Sequence, residues 1–155
     1  MQYFHLDGRA VCNFAIEAFP QAVLSALERV GKSLDEVDLV IPHQANINII
    51  KTGMEKLGLP MEKTFTNLHK YGNTAGASVP IAMREAMDEG VIAEGDLVVT
   101  VAFGGGLAWC TCPLQSPGVL ARCACLLSLP GVLAWWSLSG ALAWRTWPKA
   151  GDLQN

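Results

Sequence analysis

Two short apolar runs, each ending in a polar or glycine-rich island, constrain this chain most. Leu39-Val40-Ile41-Pro42 leads into His43-Gln44-Ala45-Asn46, and Leu97 to Phe103 leads into Gly104-Gly105-Gly106. Both runs are too short and too apolar for surface helices, and they read as buried strands. Helical patterns lie around and between them. Asn13 to Val30 has an apolar face of Phe14, Ala18, Ala22, Leu27 and Val30, with Pro20 expected to kink or split it and Gly31 placed to close it. Ser33-Leu34-Asp35-Glu36 has capping-box spacing. Asn46 to Leu57 carries Ile47, Ile50, Met54 and Leu57 on one side, with Gly58 beyond its end. Ala75 to Glu89 carries Val79, Ala82, Met83 and Ala86, with Pro80 in its first turns and Gly90 after it. Thr64 to Thr66 can form a further short strand. Helices alternating with short apolar strands argue for a layered α/β domain.

The 155 residues suffice for one domain with a real core. The net charge of −3 comes with no basic stripe, which argues against nucleic acid as a partner. Composition breaks near Cys112. Residues 1–112 hold eight Lys/Arg against thirteen Asp/Glu, whereas residues 113–155 hold Arg122, Arg145 and Lys149 against Asp152 alone. Four of the five tryptophans lie in this tail, and four of the five cysteines fall between positions 110 and 125. No basic-then-apolar leader opens the sequence, so the body is expected to be cytoplasmic, where isolated cysteines stay reduced.

The polar islands carry the candidate chemistry. His43 stands at the C-terminal end of a strand and just before a helix, the place where ligands meet the sheet in α/β folds. Its ordinary pKa of ~6.5 lets it be neutral, as donor or acceptor. Thirty residues on, Tyr71-Gly72-Asn73-Thr74-Ala75-Gly76-Ala77-Ser78 contains Asn73, a donor that cannot change its charge. A lone histidine is more often a satisfied core or loop residue, and Gly-Asn is a common turn pair. The glycine run after Phe103 is by default a tight turn. The order of all three segments changes that weighting.

HQAN, then YGNTAGAS, then FGGGL-x-W resembles the C-terminal half of the β-ketoacyl-acyl-carrier-protein synthase III family of condensing enzymes, over about residues 4–109. The resemblance implies a thiolase-like layered αβαβα fold, of which this chain is one half. It implies that His43 and Asn73 face the active-site thiol and stabilise the enolate formed when a malonyl thioester loses carbon dioxide. Two neutral donors do this without a buried charge, and one such donor is typically worth ~3–4 kcal/mol of barrier. Gly105 would supply an oxyanion-hole amide, Phe103 would pack beside the thiol, and Ala45 and Asn46 would touch the pantetheine arm. No cofactor or metal is implied. Coenzyme A and acyl-carrier-protein thioesters are the implied substrates, acyl-carrier protein the partner, and the intact enzyme a homodimer. A basic residue of the family's docking surface is replaced by Asn48, with Arg9, Lys51 and Lys56 as possible substitutes. His5 and His69 fall outside the motifs.

The family's nucleophilic cysteine lies in an N-terminal half, well before the histidine, and only 42 residues precede His43 here. Cys12 is expected to be buried and inert, so a missing N-terminal half must supply the thiol. The tail from Pro113 is expected to be a frame-shift product or disordered. Its composition, rich in Leu, Trp, Ser, Pro, Gly and Cys, is that of GC-rich DNA read in a wrong frame. The alternative is an inactive or membrane-associated fragment, since Cys123 to Trp144 is 22 residues without charge, against ~20 needed to span a bilayer. A related secondary-metabolite condensing enzyme is the other alternative. The pair Cys110-x-Cys112 and Cys123-x-Cys125 lacks the usual zinc-finger spacing.

Overall fold

The structure, a computed structural model, describes residues 7–104, 108–115, 124–129 and 132–137. The first helix, α1 (Gly8–Arg29), begins five residues before the expected start. Asp7 is the reason: its carboxylate accepts from the Arg9 and Ala10 backbone N–H groups, 3.0 Å each, and satisfies two of the four orphan donors of the first turn. Pro20 does not split the helix. It removes one backbone donor from a 22-residue element whose buried stripe runs past it on both sides. That stripe is Ala15, Ala18, Phe19, Ala22, Val23, Ala26 and Leu27; it contains Ala18, Ala22 and Leu27 of the expected face, whereas Phe14 is half-buried and Val30 is exposed. At the end, Gly31 takes a positive φ of 66° while Gly31 N–H reaches Glu28 O and Lys32 N–H reaches Leu27 O. This is the paired closure that a left-handed residue permits.

The Ser33–Glu36 turn forms as expected. The Glu36 carboxylate accepts from Ser33 N–H (2.8 Å), Ser33 Oγ (3.0 Å) and Lys32 Nζ (2.7 Å). Strand β1 (Leu39–Pro42) is buried along its whole length. Asp38, just before it, accepts from Leu97 N–H at 2.8 Å. Helix α2 (Ile47–Leu57) follows, closed by Gly58 at φ 71°. Thr64 makes only an isolated bridge to Val40. A four-residue helix, α3 (Leu68–Tyr71), was not expected. The expected helix from Ala75 opens as a 3-10 turn, Ala75–Ala77, before α4 (Ser78–Asp88).

Strand β2 (Leu97–Gly104) pairs parallel with β1, Leu39 opposite Val98 and Pro42 opposite Val101. It pairs antiparallel with β3 (Ala108–Gln115), and the sheet continues through β4 (Ala124–Leu129) and β5 (Val132–Ser137) in the order β1-β2-β3-β4-β5. Alternation along β1 and β2 divides two cores. Val40, Leu97, Val99 and Val101 meet Phe19, Val23 and Leu27 of α1 with Ile50 and Met54 of α2. Leu39, Ile41 and Val98 meet Ala82 and Ala86 of α4 on the other face. The result is α/β/α layering, with both faces of the parallel pair covered. α1 and α2 touch where Phe19 lies against Gly53, which leaves no room for a Cβ.

β3 runs across the composition break at Cys112. The uncharged stretch considered as a membrane span holds two strands, β4 and β5, rather than one continuous helix. Among the described residues, only α1 is long and apolar enough by length and composition to cross a membrane. Its apolar stripe covers the sheet and α2.

Candidate active site

β1 and β2 run parallel, so their C-terminal ends lie side by side. His43 N–H extends the ladder by one bond, donating to Val101 O at 2.6 Å. This fixes the backbone of the first island at the end of the sheet. The His43 ring is half-buried, and burial pushes its pKa below the ordinary value, so the neutral ring is favoured. Nδ1 lies 2.5 Å from Ser78 Oγ, and Ser78 is 2% exposed.

Gln44, beside the histidine, is 1% exposed and fully engaged. Its Nε2 donates to Pro42 O (2.7 Å) and Phe65 O (3.4 Å), its Oε1 accepts from Asn67 N–H (3.1 Å), and its own backbone N–H donates to Ser78 Oγ (3.2 Å). Asn67 then donates through Nδ2 to Glu85 Oε2 of α4 at 2.8 Å. Lys70 and then Asn67 hold the Glu85 carboxyl below its usual range. A buried polar chain therefore joins the loop after β1, the segment before α3, and α4. Satisfied networks of this kind fix geometry.

Asn73 is exposed, and its Oδ1 accepts from Ala75 N–H at 3.0 Å. Only an oxygen can accept there, so Nδ2 with its two hydrogens is the end of the amide that no described residue engages. Ala75 has φ 51°, the only positive φ outside glycine among the described residues. The tight turn beside Asn73 thus holds a residue in a conformation that ordinarily favours glycine. Ser78, five residues after Asn73, ties the second island to His43. Phe103, near the end of β2, is half-buried and packs edge-on against Phe19, ring centroids 6.4 Å apart. Asn46 caps α2, its Oδ1 accepting from Asn48 N–H at 2.9 Å, and Ala45 is half-buried behind it. Gly105 lies outside the described residues.

Cys12 is half-buried on α1, more open than expected. Among the described residues no three His, Cys, Asp or Glu side chains group as metal ligands. A shallow cleft lined by Tyr71, Ile81, Arg84 and Glu85 lies on the outer side of α4 and does not include His43 or Asn73. Sequence reasoning gave no role to Ser78 or Gln44, although both stand inside the islands. Ser78 carried a signal, a polar residue between Ala77 and Val79, whereas Gln44 among His43 and Asn46 carried none.

The family described as 3-oxoacyl-[acyl-carrier-protein] synthase III, C terminal, matches residues 27–115. The chain belongs to this family. The β-ketoacyl-[acyl-carrier-protein] synthase III of Symbiobacterium thermophilum is 44% identical over 115 residues, covering 74% of this chain and 35% of the relative. That of Aquifex aeolicus is 47% identical over 107 residues, covering 69% and 35%. Among solved structures, the synthase III of Thermus thermophilus superposes with a TM-score of 0.72 at 43% identity, over 74% of this chain and 36% of that one. The priming β-ketosynthase of the R1128 polyketide pathway gives 0.67 at 30% identity, over 73% and 34%. The thiolase-like α/β fold expected for a synthase III C-terminal region is the fold observed. The chain spans about a third of the length of the curated relatives it matches.

Proposed function

We propose that this chain is the enolate-stabilising part of a β-ketoacyl-acyl-carrier-protein synthase III, a cytoplasmic acyltransferase of fatty-acid biosynthesis. A cysteine thiolate from the missing N-terminal part attacks an acyl-coenzyme A, and coenzyme A leaves as its thiolate. Malonyl-acyl-carrier protein then loses carbon dioxide, and the electron pair of the broken bond forms an enolate. His43 Nε2 and Asn73 Nδ2 donate to the enolate oxygen. The enolate carbon attacks the acyl-cysteine thioester, expelling the thiolate and giving the 3-ketoacyl-carrier protein. The Gly105 amide serves the tetrahedral oxyanion of that last step. Phe103 borders the thiol, and Ala45 with the free amide end of Asn46 borders the pantetheine arm. The reaction needs no cofactor, and the intact enzyme is a homodimer.

One observation carries this reading. A half-buried histidine favoured in its neutral form is held, through Ser78, to the segment that presents Asn73, whose Nδ2 donors no described residue engages. The test is to combine the purified chain with a separately produced N-terminal portion of a synthase III that carries the cysteine. Carbon dioxide release from malonyl-carrier protein and 3-ketoacyl product are then measured. Activity should need both parts and fall by about a hundredfold or more in His43→Ala and in Asn73→Ala, the loss typical of one oxyanion donor. Undiminished activity in both variants sinks the assignment. We also propose that the residues after 115, where the family match ends, derive from a shifted frame. DNA sequence with an unbroken frame in independent clones would refute this.

A further inference from the structure

We infer that Ser78 is a positioning residue that sets the tautomer of His43, its hydroxyl donating to Nδ1 so that Nε2 carries the ring hydrogen. The argument is a count of one proton. A serine hydroxyl has a single hydrogen and two acceptor sites. A backbone N–H can only donate, so the Gln44 N–H at 3.2 Å occupies one acceptor site of Ser78 Oγ. Two arrangements remain for the 2.5 Å contact with His43 Nδ1. In one, the hydroxyl donates to a bare Nδ1. In the other, Nδ1–H donates to the second acceptor site, and the hydroxyl hydrogen must find another acceptor. Ser78 is 2% exposed, and its Oγ has no other hydrogen-bond partner among the described residues. The second arrangement therefore leaves a buried O–H without a partner, which disfavours it. The first satisfies every group.

The neighbours hold this choice in place. Gln44 N–H is fixed because the Gln44 side chain is bonded on three sides, and His43 N–H is fixed by Val101 O. Ser78 is thus not a third donor for the substrate. It makes Nε2, the nitrogen that no described residue engages, a donor rather than an acceptor, which is the chemistry an enolate oxygen needs. The last step in the second island, Asn73 to Ser78, then serves both donors: its first residue presents one, and its last orients the other.

This inference rests on the donor role proposed for His43, but its test does not depend on turnover. Long-range 1H–15N correlation on the 15N-labelled full chain reads the two ring nitrogens directly. At neutral pH, Nδ1 of His43 should show the acceptor-type shift and Nε2 the protonated type. In Ser78→Ala the tautomer ratio should shift about fivefold toward Nδ1–H, the ratio one ordinary hydrogen bond sustains. In Ser78→Thr, which keeps the hydroxyl, it should stay as in the parent. The backbone amide spectrum verifies that each variant is folded. If Ser78→Ala leaves a dominant Nε2–H ratio unchanged, the role of Ser78 falls and the donor role of His43 stands. If the parent chain shows Nδ1–H, both fall. If the tautomer behaves as expected but His43→Ala condenses normally, only the donor role falls. The parent spectrum alone decides the tautomer should either variant fail to fold.

Discussion

Replacing Gly53 with alanine sets two physical effects against each other at one atom. Gly53 lies inside α2, where alanine is intrinsically favoured over glycine by about 1 kcal/mol. A Cβ built there would stand 1.7 Å from Phe19 Cδ1, 2.3 Å from Cε1 and 2.9 Å from Cγ. The ring would have to retreat by about 2 Å to reach ordinary carbon contact of ~3.5–4.0 Å. It has no space for this. Phe19 has no exposed surface, and its ring also packs edge-to-face with Phe103. Overpacking of this kind costs about 3 kcal/mol, the upper end of the usual range. The net expectation is a loss of about 2 kcal/mol after the helix-propensity gain. Urea unfolding followed by far-ultraviolet ellipticity measures it. With a slope of ~2 kcal/mol per molar, the midpoint should fall by about 1 M. Phe19→Leu combined with Gly53→Ala should be less damaging than the separate effects added together, because the smaller side chain opens the space the methyl needs. A midpoint for Gly53→Ala that is unchanged or higher would show that helix propensity governs this position. The close crossing of α1 and α2, and with it the support behind Phe103, would then be misread.

Gln44→Leu should cost about 3 kcal/mol, because it strands the Pro42 carbonyl and the Asn67 N–H in a buried site, each worth ~1–3 kcal/mol; a midpoint shift in urea equivalent to less than 1 kcal/mol contradicts this. His43 should titrate below its ordinary value in an NMR pH series, because its burial penalises the charged ring. The unfolded chain then binds that proton first, so the contribution of His43 to stability is full above about pH 6.5 and is lost as pH falls toward the folded value; titration at or above the ordinary value refutes the burial. Glu36 is held at about 2, first by Lys32 and then by Ser33. Its contribution is present above the ordinary carboxylate range and disappears as pH falls through about 2. Glu36→Gln should flatten the acid limb of the stability profile in that window, and an unaltered limb counts against the capping geometry.

The layered fold was legible because burial repeats along the chain. Strand residues alternating between two faces, as Leu39, Val40 and Ile41 do, need only local pattern to be recognised, and so do the closing glycines at 31, 58 and 90. What the pattern hid depends on single atoms. Asp7 starts α1 through two hydrogen bonds from one carboxylate oxygen, which periodicity cannot register. Pro20 reads as a breaker because propensity counts the lost donor and not the buried stripe around it. The face of α1 was legible in Ala18, Ala22 and Leu27 but not in its largest member: Phe14 is large and apolar, yet Phe19 has the place opposite Gly53, and only the crossing partner decides between them.

The site divides the same way, and the division explains its design. His43 and Asn73 were legible as residue types able to donate while neutral. Ser78 and Gln44 were not, because their work is to satisfy each other across 34 residues of sequence. A donor aimed at a substrate must leave its hydrogen unpaired in the resting protein, so it looks like an incomplete residue. Its supports must leave nothing unpaired, so they look like ordinary buried polar groups. Among the described residues, His43 is engaged through Nδ1 and not through Nε2, and Asn73 through its oxygen and not through its nitrogen. In both residues the half engaged by the protein determines what the free half can do. A polar group that is satisfied at one end only, beside neighbours that are satisfied completely, is therefore the physical mark of this site. That mark follows from hydrogen-bond accounting across the fold, and no motif written along one segment can contain it.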